Sequence, residues 1–198
     1  RAVEKRGGGE KAAALLTMWS PGGEGGTALA DVLFGDYNPA GRLPVSVPRD
    51  AGQLPVYYNK KNPRGHDYVE MTADPLYPFG YGLSYTTFEY SDLTVSGRVP
   101  DVEVTVNVKN TGSRDGDEVV QLYVTDPLAS TVRPRKQLRA FDRVFIKAGE
   151  TVPVTLKLGP DAFSLVDKDG NTVIERGDFI LQVGASSEDI RITETITY

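Results

Sequence analysis

The chain has 198 residues, 39% of them apolar, and 22 Lys plus Arg against 27 Asp plus Glu give it a formal charge of −5. That length suits one large all-β domain, or one ordinary domain with a remnant of another, and the acidic balance without a Lys/Arg stripe argues against a nucleic-acid partner. The absence of cysteine excludes disulfides, a thiol nucleophile and Cys-based zinc sites, and no apolar run approaches the roughly 20 residues that a membrane helix needs.

The chain opens on Arg1 to Glu10, a charged, glycine-rich lead-in unlike a signal peptide and without an initiating Met, so it reads as a piece of something longer. Ala12 to Trp19 is an uncharged, largely apolar run that predicts a buried strand. Gly22, Gly23, Gly25 and Gly26 then make a turn, and Thr27 to Phe34 carries Leu29, Val32 and Leu33 at helical spacing. Thr27 is placed to cap that helix and Gly35 to end it in the left-handed conformation. Strand, turn and helix make half of a βα unit, which cannot bury its own faces without parallel neighbours. Residues 36–86 are broken by prolines, among them Pro39, Pro44, Pro48, Pro55, Pro63 and Pro75, which predicts a long irregular loop. Such a loop is usually functional or packed against something larger.

From residue 87 the pattern changes to alternation. Val102, Val104, Val106 and Val108 are separated by polar residues, as in a half-buried strand. Further strands are expected over 118–125, 138–146, 151–158, 172–176, 179–183 and 190–196, with an Asp169-Gly170 hairpin between 163–166 and 172–174. Among them, Arg133, Arg135, Lys136 and Arg139 read as a solvated strand edge. The fold class expected is mainly β: an antiparallel β-sandwich preceded by a strand-turn-helix remnant and a proline-rich loop.

The chemistry-bearing motifs are weak. Gly23-x-Gly25-x-x-Ala28 fits a dinucleotide fingerprint formally, but no second strand with a terminal acid follows it, and a tight turn accounts for it. Asp167, Asp169 and Asn171 resemble part of a calcium loop, with the glycine misplaced, and read better as a hairpin turn. His66, the only histidine, stands beside Asp67 in the loop, and no Gly-x-Ser-x-Gly elbow accompanies it. Asp31, Asp36, Asp67, Glu70 and Asp74 show no pairing of the kind glycoside hydrolysis uses. No catalytic residue, metal ligand or cofactor site is therefore assigned.

Trp19 to Gly26, then Ala30 to Pro44, are similar to a run found in family 3 glycoside hydrolases, and Pro75 to Phe88 resembles that family's most distinctive segment. Glu118 to Val124, Arg133-Pro134, Lys136 to Leu138 and Phe141 resemble its terminal domain, so the resemblance runs in order from residue 12 to 198. Asn59, Lys60 and His66 to Val69 are nearer the bacterial β-glucosidase/β-xylosidase branch than the fungal one.

The resemblance implies a barrel, an α/β sandwich and a fibronectin-III-like domain in that order. Residues 1–56 would then end the α/β sandwich, 57–86 link, and 87–198 form the fibronectin-III-like domain. It also implies a retaining mechanism whose aspartate nucleophile and usual acid/base glutamate lie in family regions preceding residue 1, and it favours a periplasmic or secreted setting. Arg1 to Lys11 departs from the family's lead-in.

The partner expected is the rest of a parent glycosidase, in cis or in trans, acting on a β-linked oligosaccharide, with no nucleic acid or membrane involved. Tyr57, Tyr58, His66 and Tyr68 are the residues expected near substrate, because aromatic faces stack on sugar rings. The alternative is a stand-alone fibronectin-III-like module binding carbohydrate or protein.

Overall fold

The computed structural model describes residues 14–61 and 71–198. Its strands are β1 (Phe88–Arg98), β2 (Asp101–Asn110), β3 (Gly116–Thr125), β4 (Gln137–Ile146), β5 (Thr151–Leu158), β6 (Leu165–Val166), β7 (Thr172–Val173), β8 (Asp178–Gly184) and β9 (Ile190–Thr197). A three-stranded sheet in the order β1-β2-β5 faces a four-stranded sheet in the order β4-β3-β8-β9, and every pairing is antiparallel. The expected sandwich is present.

Its core follows from the alternation. Val102, Val104, Val106 and Val108 of β2 are 0–2% exposed and pack with Val120, Leu122 and Val124 of β3 and Phe179, Leu181 and Val183 of β8. Phe163 meets Phe179 edge-on, with ring centroids 5.0 Å apart. Burying such side chains contributes about 1.5–3 kcal/mol each. The Asp169-Gly170 turn closes the β6–β7 hairpin, and the Asp167 carboxylate is occupied in accepting bonds from the amides of Asp169 and Asn171. β1 is the strand that the pattern does not single out. Its register shifts between Ser91 and Thr94, where Asp92 takes a φ of 52°, and this bulge breaks the period of two.

The N-terminal part departs from expectation in two respects. Residues 14–19 form no strand, and Leu15, Leu16 and Trp19 are 53%, 45% and 64% exposed. The physical reason is the one that made the half unit look orphaned: a central parallel strand forms only against neighbours, and the described residues supply none. The helix α1 (Gly25–Phe34) does form, starting two residues before the expected Thr27. Glu24 at its N-cap makes no side-chain bond, and Gly35 ends it at φ 84°.

Residues 36–61 and 71–86 are largely irregular, as the prolines require, yet they are tied down. Val47 pairs with Tyr77 in an antiparallel bridge, and the Leu43 and Gly80 amides donate to the Tyr81 and Leu43 carbonyls, both at 2.8 Å. Gln53, 3% exposed, ends a short 3-10 turn and donates to the Ala73 and Asp74 carbonyls at 3.0 Å each. The stretch is a third layer, laid over the four-stranded sheet.

Candidate docking interface

β3 presents two faces. Its inward residues fill the core, so Gln121 and Tyr123 point outward, yet they are only 2% and 0% exposed because the preceding chain covers them. Gln121 Nε2 donates to the Gly80 carbonyl at 3.1 Å and to the Ala185 carbonyl at 2.6 Å, while Tyr123 Oη donates to Gln121 Oε1 at 2.6 Å. The Ser187 amide donates to the Phe79 carbonyl at 3.0 Å. Gly80 adopts φ +81°, and a Cβ there would lie 2.1 Å from Gln121 Oε1, so this contact requires glycine.

A charged group lies between the sheets. Glu118, 2% exposed, shares the inward phase of Val120, Leu122 and Val124. Its Oε2 accepts from Arg42 Nη2 at 2.8 Å and its Oε1 from Tyr90 Oη at 3.0 Å. Burial raises the Glu118 pKa, outweighing the Arg42 guanidinium and the Tyr90 hydroxyl, which lower it. Arg42 comes from the irregular stretch, so a backbone without regular structure is anchored in the sandwich by an ion pair. Sequence reasoning missed it, although a Glu in phase with three core residues was the available signal.

The C-terminal end of α1 is held by sandwich and loop residues. Arg114 Nη1 donates to the Gly35 carbonyl at 3.3 Å, which also sets a positive charge at the negative end of the helix dipole. Tyr85 Oη donates to the Val32 carbonyl at 2.7 Å. Asn38 Nδ2 donates to the Asp115 carbonyl at 2.9 Å, and its Oδ1 accepts from Ser84 Oγ and from the Tyr85 amide. Arg143 bridges the Tyr37 hydroxyl and the Asp117 carboxylate. Apolar side chains beside these contacts are bare: Leu33 is 65% and Phe34 83% exposed, near the uncovered Leu15, Leu16 and Trp19 in sequence.

The tyrosines expected near substrate divide into two kinds. Tyr58 stacks on Phe79, centroids 4.1 Å apart and planes 13° apart, meets Tyr123 edge-on, and accepts at Oη from the Leu138 amide at 3.2 Å. Its ring is an anchor for the loop. Tyr57, next to it, is 62% exposed. The two flank a cavity of about 190 Å³ whose other walls include Ser46, Lys60, residues 73–75, Arg135 and residues 187–188. His66 and Tyr68 lie outside the described residues.

Among the described residues, Glu118 is the one acidic side chain that is buried, and it faces a cation and a phenol. Its two bonds tie β3 to β1 and to the irregular stretch, so the arrangement holds these segments together.

Comparison with known proteins places these features. The Glycosyl hydrolase family 3 C-terminal domain matches residues 2–85 and the Fibronectin type III-like domain matches residues 118–187. The chain is 42% identical over 197 residues to a periplasmic beta-glucosidase of Salmonella typhimurium, covering 92% of this chain and 26% of that protein. It is 44% identical over 188 residues to a beta-xylosidase of Formosa agariphila, covering 90% and 26%. A beta-glucosidase from Listeria innocua solved with glucose superposes with a TM-score of 0.85 at 37% identity, over 90% of this chain and 27% of that one. The chain thus spans about a quarter of the length of these relatives.

Proposed function

We propose, because this chain belongs to glycosyl hydrolase family 3 and matches the C-terminal part of its β-glucosidase and β-xylosidase members, that it is the structural and docking portion of a retaining, exo-acting β-glycosidase. The parent removes terminal β-D-glucosyl or β-D-xylosyl residues, and its two catalytic carboxyl groups come from other domains. The division into an α/β remnant at 1–56, a linker at 57–86 and a fibronectin-III-like domain at 87–198 belongs to the same reading. What carries it is the bare apolar side of the α1 region, with Phe34 83% and Leu33 65% exposed while the helix end is fixed to the sandwich. A held helix with an uncovered apolar side is built to receive another surface. The same feature opposes the stand-alone binding module, which would carry this face as an aggregation liability.

The 198-residue chain alone is expected to give no turnover of aryl β-glucosides or β-xylosides above a buffer blank. Turnover by the purified chain would overturn the reading. In the intact parent, Tyr57 faces substrate, Tyr58 mounts it, and His66 and Tyr68 belong to the same loop. Tyr57→Ala in the parent is expected to lower kcat/KM by about tenfold, near the loss of one aromatic contact, with little change in melting temperature. A fall in thermal stability with kcat/KM unchanged would reject the substrate-facing role.

A further inference from the structure

The outward face of β4 leaves two phenylalanines uncovered. Ala140, Val144 and Ile146 pack into or against the core, so by the alternation of a strand Phe141, Arg143 and Phe145 point away from it. Phe141 stands opposite Gln121, which the irregular layer covers, yet it is itself 65% exposed, and Phe145 is 56% exposed. β4 is also an edge strand of its sheet. Exposed aromatic side chains on a sheet edge invite association unless something covers them. Arg143, between the two along the strand, donates to the Asp117 carboxylate and to the Tyr37 hydroxyl. Its charge is met before any partner arrives, so covering this face leaves no ion unpaired.

Tyr37, 45% exposed, carries this face toward α1. Its hydroxyl accepts from Arg143 and its amide donates to the Asp31 carbonyl, so one residue joins β4 to the C-terminal end of the helix, where Leu33 and Phe34 are bare. We propose that Phe141 and Phe145 are a second half of the docking face, covered together with Leu33 and Phe34 by an uncharged apolar surface of the parent's remaining domains. The relatives carry most of their length outside the part that this chain matches, which supplies an occupant of sufficient size. The inference rests on the docking role above and deepens it: the sandwich itself takes part in the interface, instead of trailing behind α1.

Hydroxyl-radical footprinting of the 198-residue chain and of an intact parent containing it tests the proposal. Phe141 and Phe145 are expected to react at least about fivefold more slowly in the parent, as residues at the centre of an interface do. Phe141→Thr combined with Phe145→Thr keeps the preference for strand. It is expected to lower the parent's temperature of half-inactivation by about 5 °C and to leave melting of the isolated chain unchanged. Leu33 and Phe34 report separately on the docking role. If they are protected in the parent while Phe141 and Phe145 stay reactive, the sandwich face lies outside the interface and the docking role survives. If all four stay reactive, both readings fall. Two other results would overturn the proposal: protection that appears in the isolated chain as its concentration rises, which assigns the face to a second copy, or an equal loss of melting temperature in chain and parent, which makes the two rings part of the sandwich's own stability.

Discussion

Replacing Arg42 by Ala is expected to destabilise the chain by about 3–5 kcal/mol at neutral pH, read from the urea midpoint at constant m value. The variant leaves Glu118 buried between the sheets with Tyr90 as its remaining hydrogen-bond partner. Most of the loss is the cost of an uncompensated charge, so the double replacement Arg42→Met with Glu118→Leu should recover much of it. The guanidinium supports that expectation, because its Nε and Nη1 are buried without partners and part of its desolvation is uncompensated. A loss below about 1 kcal/mol, as for an exposed pair, would show that the pair does not hold the irregular stretch to the sandwich.

The same group sets a pH dependence. Burial holds the Glu118 carboxyl above its ordinary value of 4.5, so the folded state keeps the proton more readily than the unfolded one. Its contribution to stability is fully present below about 4.5 and is lost as pH rises through the higher folded value. Glu118→Gln should flatten stability over that interval. Arg42→Ala should steepen it, since removing the cation raises the folded value further; an unchanged slope in both variants would contradict the assignment.

Gly80→Ala is the second large effect, expected at about 3 kcal/mol. A left-handed backbone costs a non-glycine residue about 1–2 kcal/mol, and displacing Gln121 breaks a buried network worth a similar amount. The Cβ would lie 2.1 Å from Gln121 Oε1 and 3.0 Å from Tyr123 Oη, neither of which has free space to retreat. In a Gln121→Ala background the same change should cost only the backbone part, so a double-mutant cycle separates the two contributions. Additivity in that cycle would mean that Gly80 and Gln121 do not act as a unit.

The sandwich was legible because its residues repeat with the period of the pleat. Val102 to Val108 announce their inward face directly, Glu118 to Thr125 reads as a strand from its apolar and β-branched content, and Gly35 marks the end of α1 by its own conformational freedom. The anchoring of residues 36–61 and 71–86 was not legible. It depends on Asn38, Arg42, Gln53 and Gln121, whose side chains reach carbonyls or carboxylates 20 to 77 residues away, and such bonds leave no local pattern. Residues 14–19 misled for the opposite reason: an apolar run describes what a segment can pair with, and no strand among the described residues pairs with it. Tyr57 and Tyr58, adjacent and identical in type, take different surroundings that only tertiary packing decides.

The short pairing of residues 43–47 with 76–81 has a consequence for variation within the family. Both ends of the intervening segment are stapled to one another, so its departure and return points stay fixed whatever length of chain joins them. Loop closure penalises added length only weakly. The span from 48 to 75 therefore tolerates added length better than loss of the Tyr58 ring that pins it between those ends.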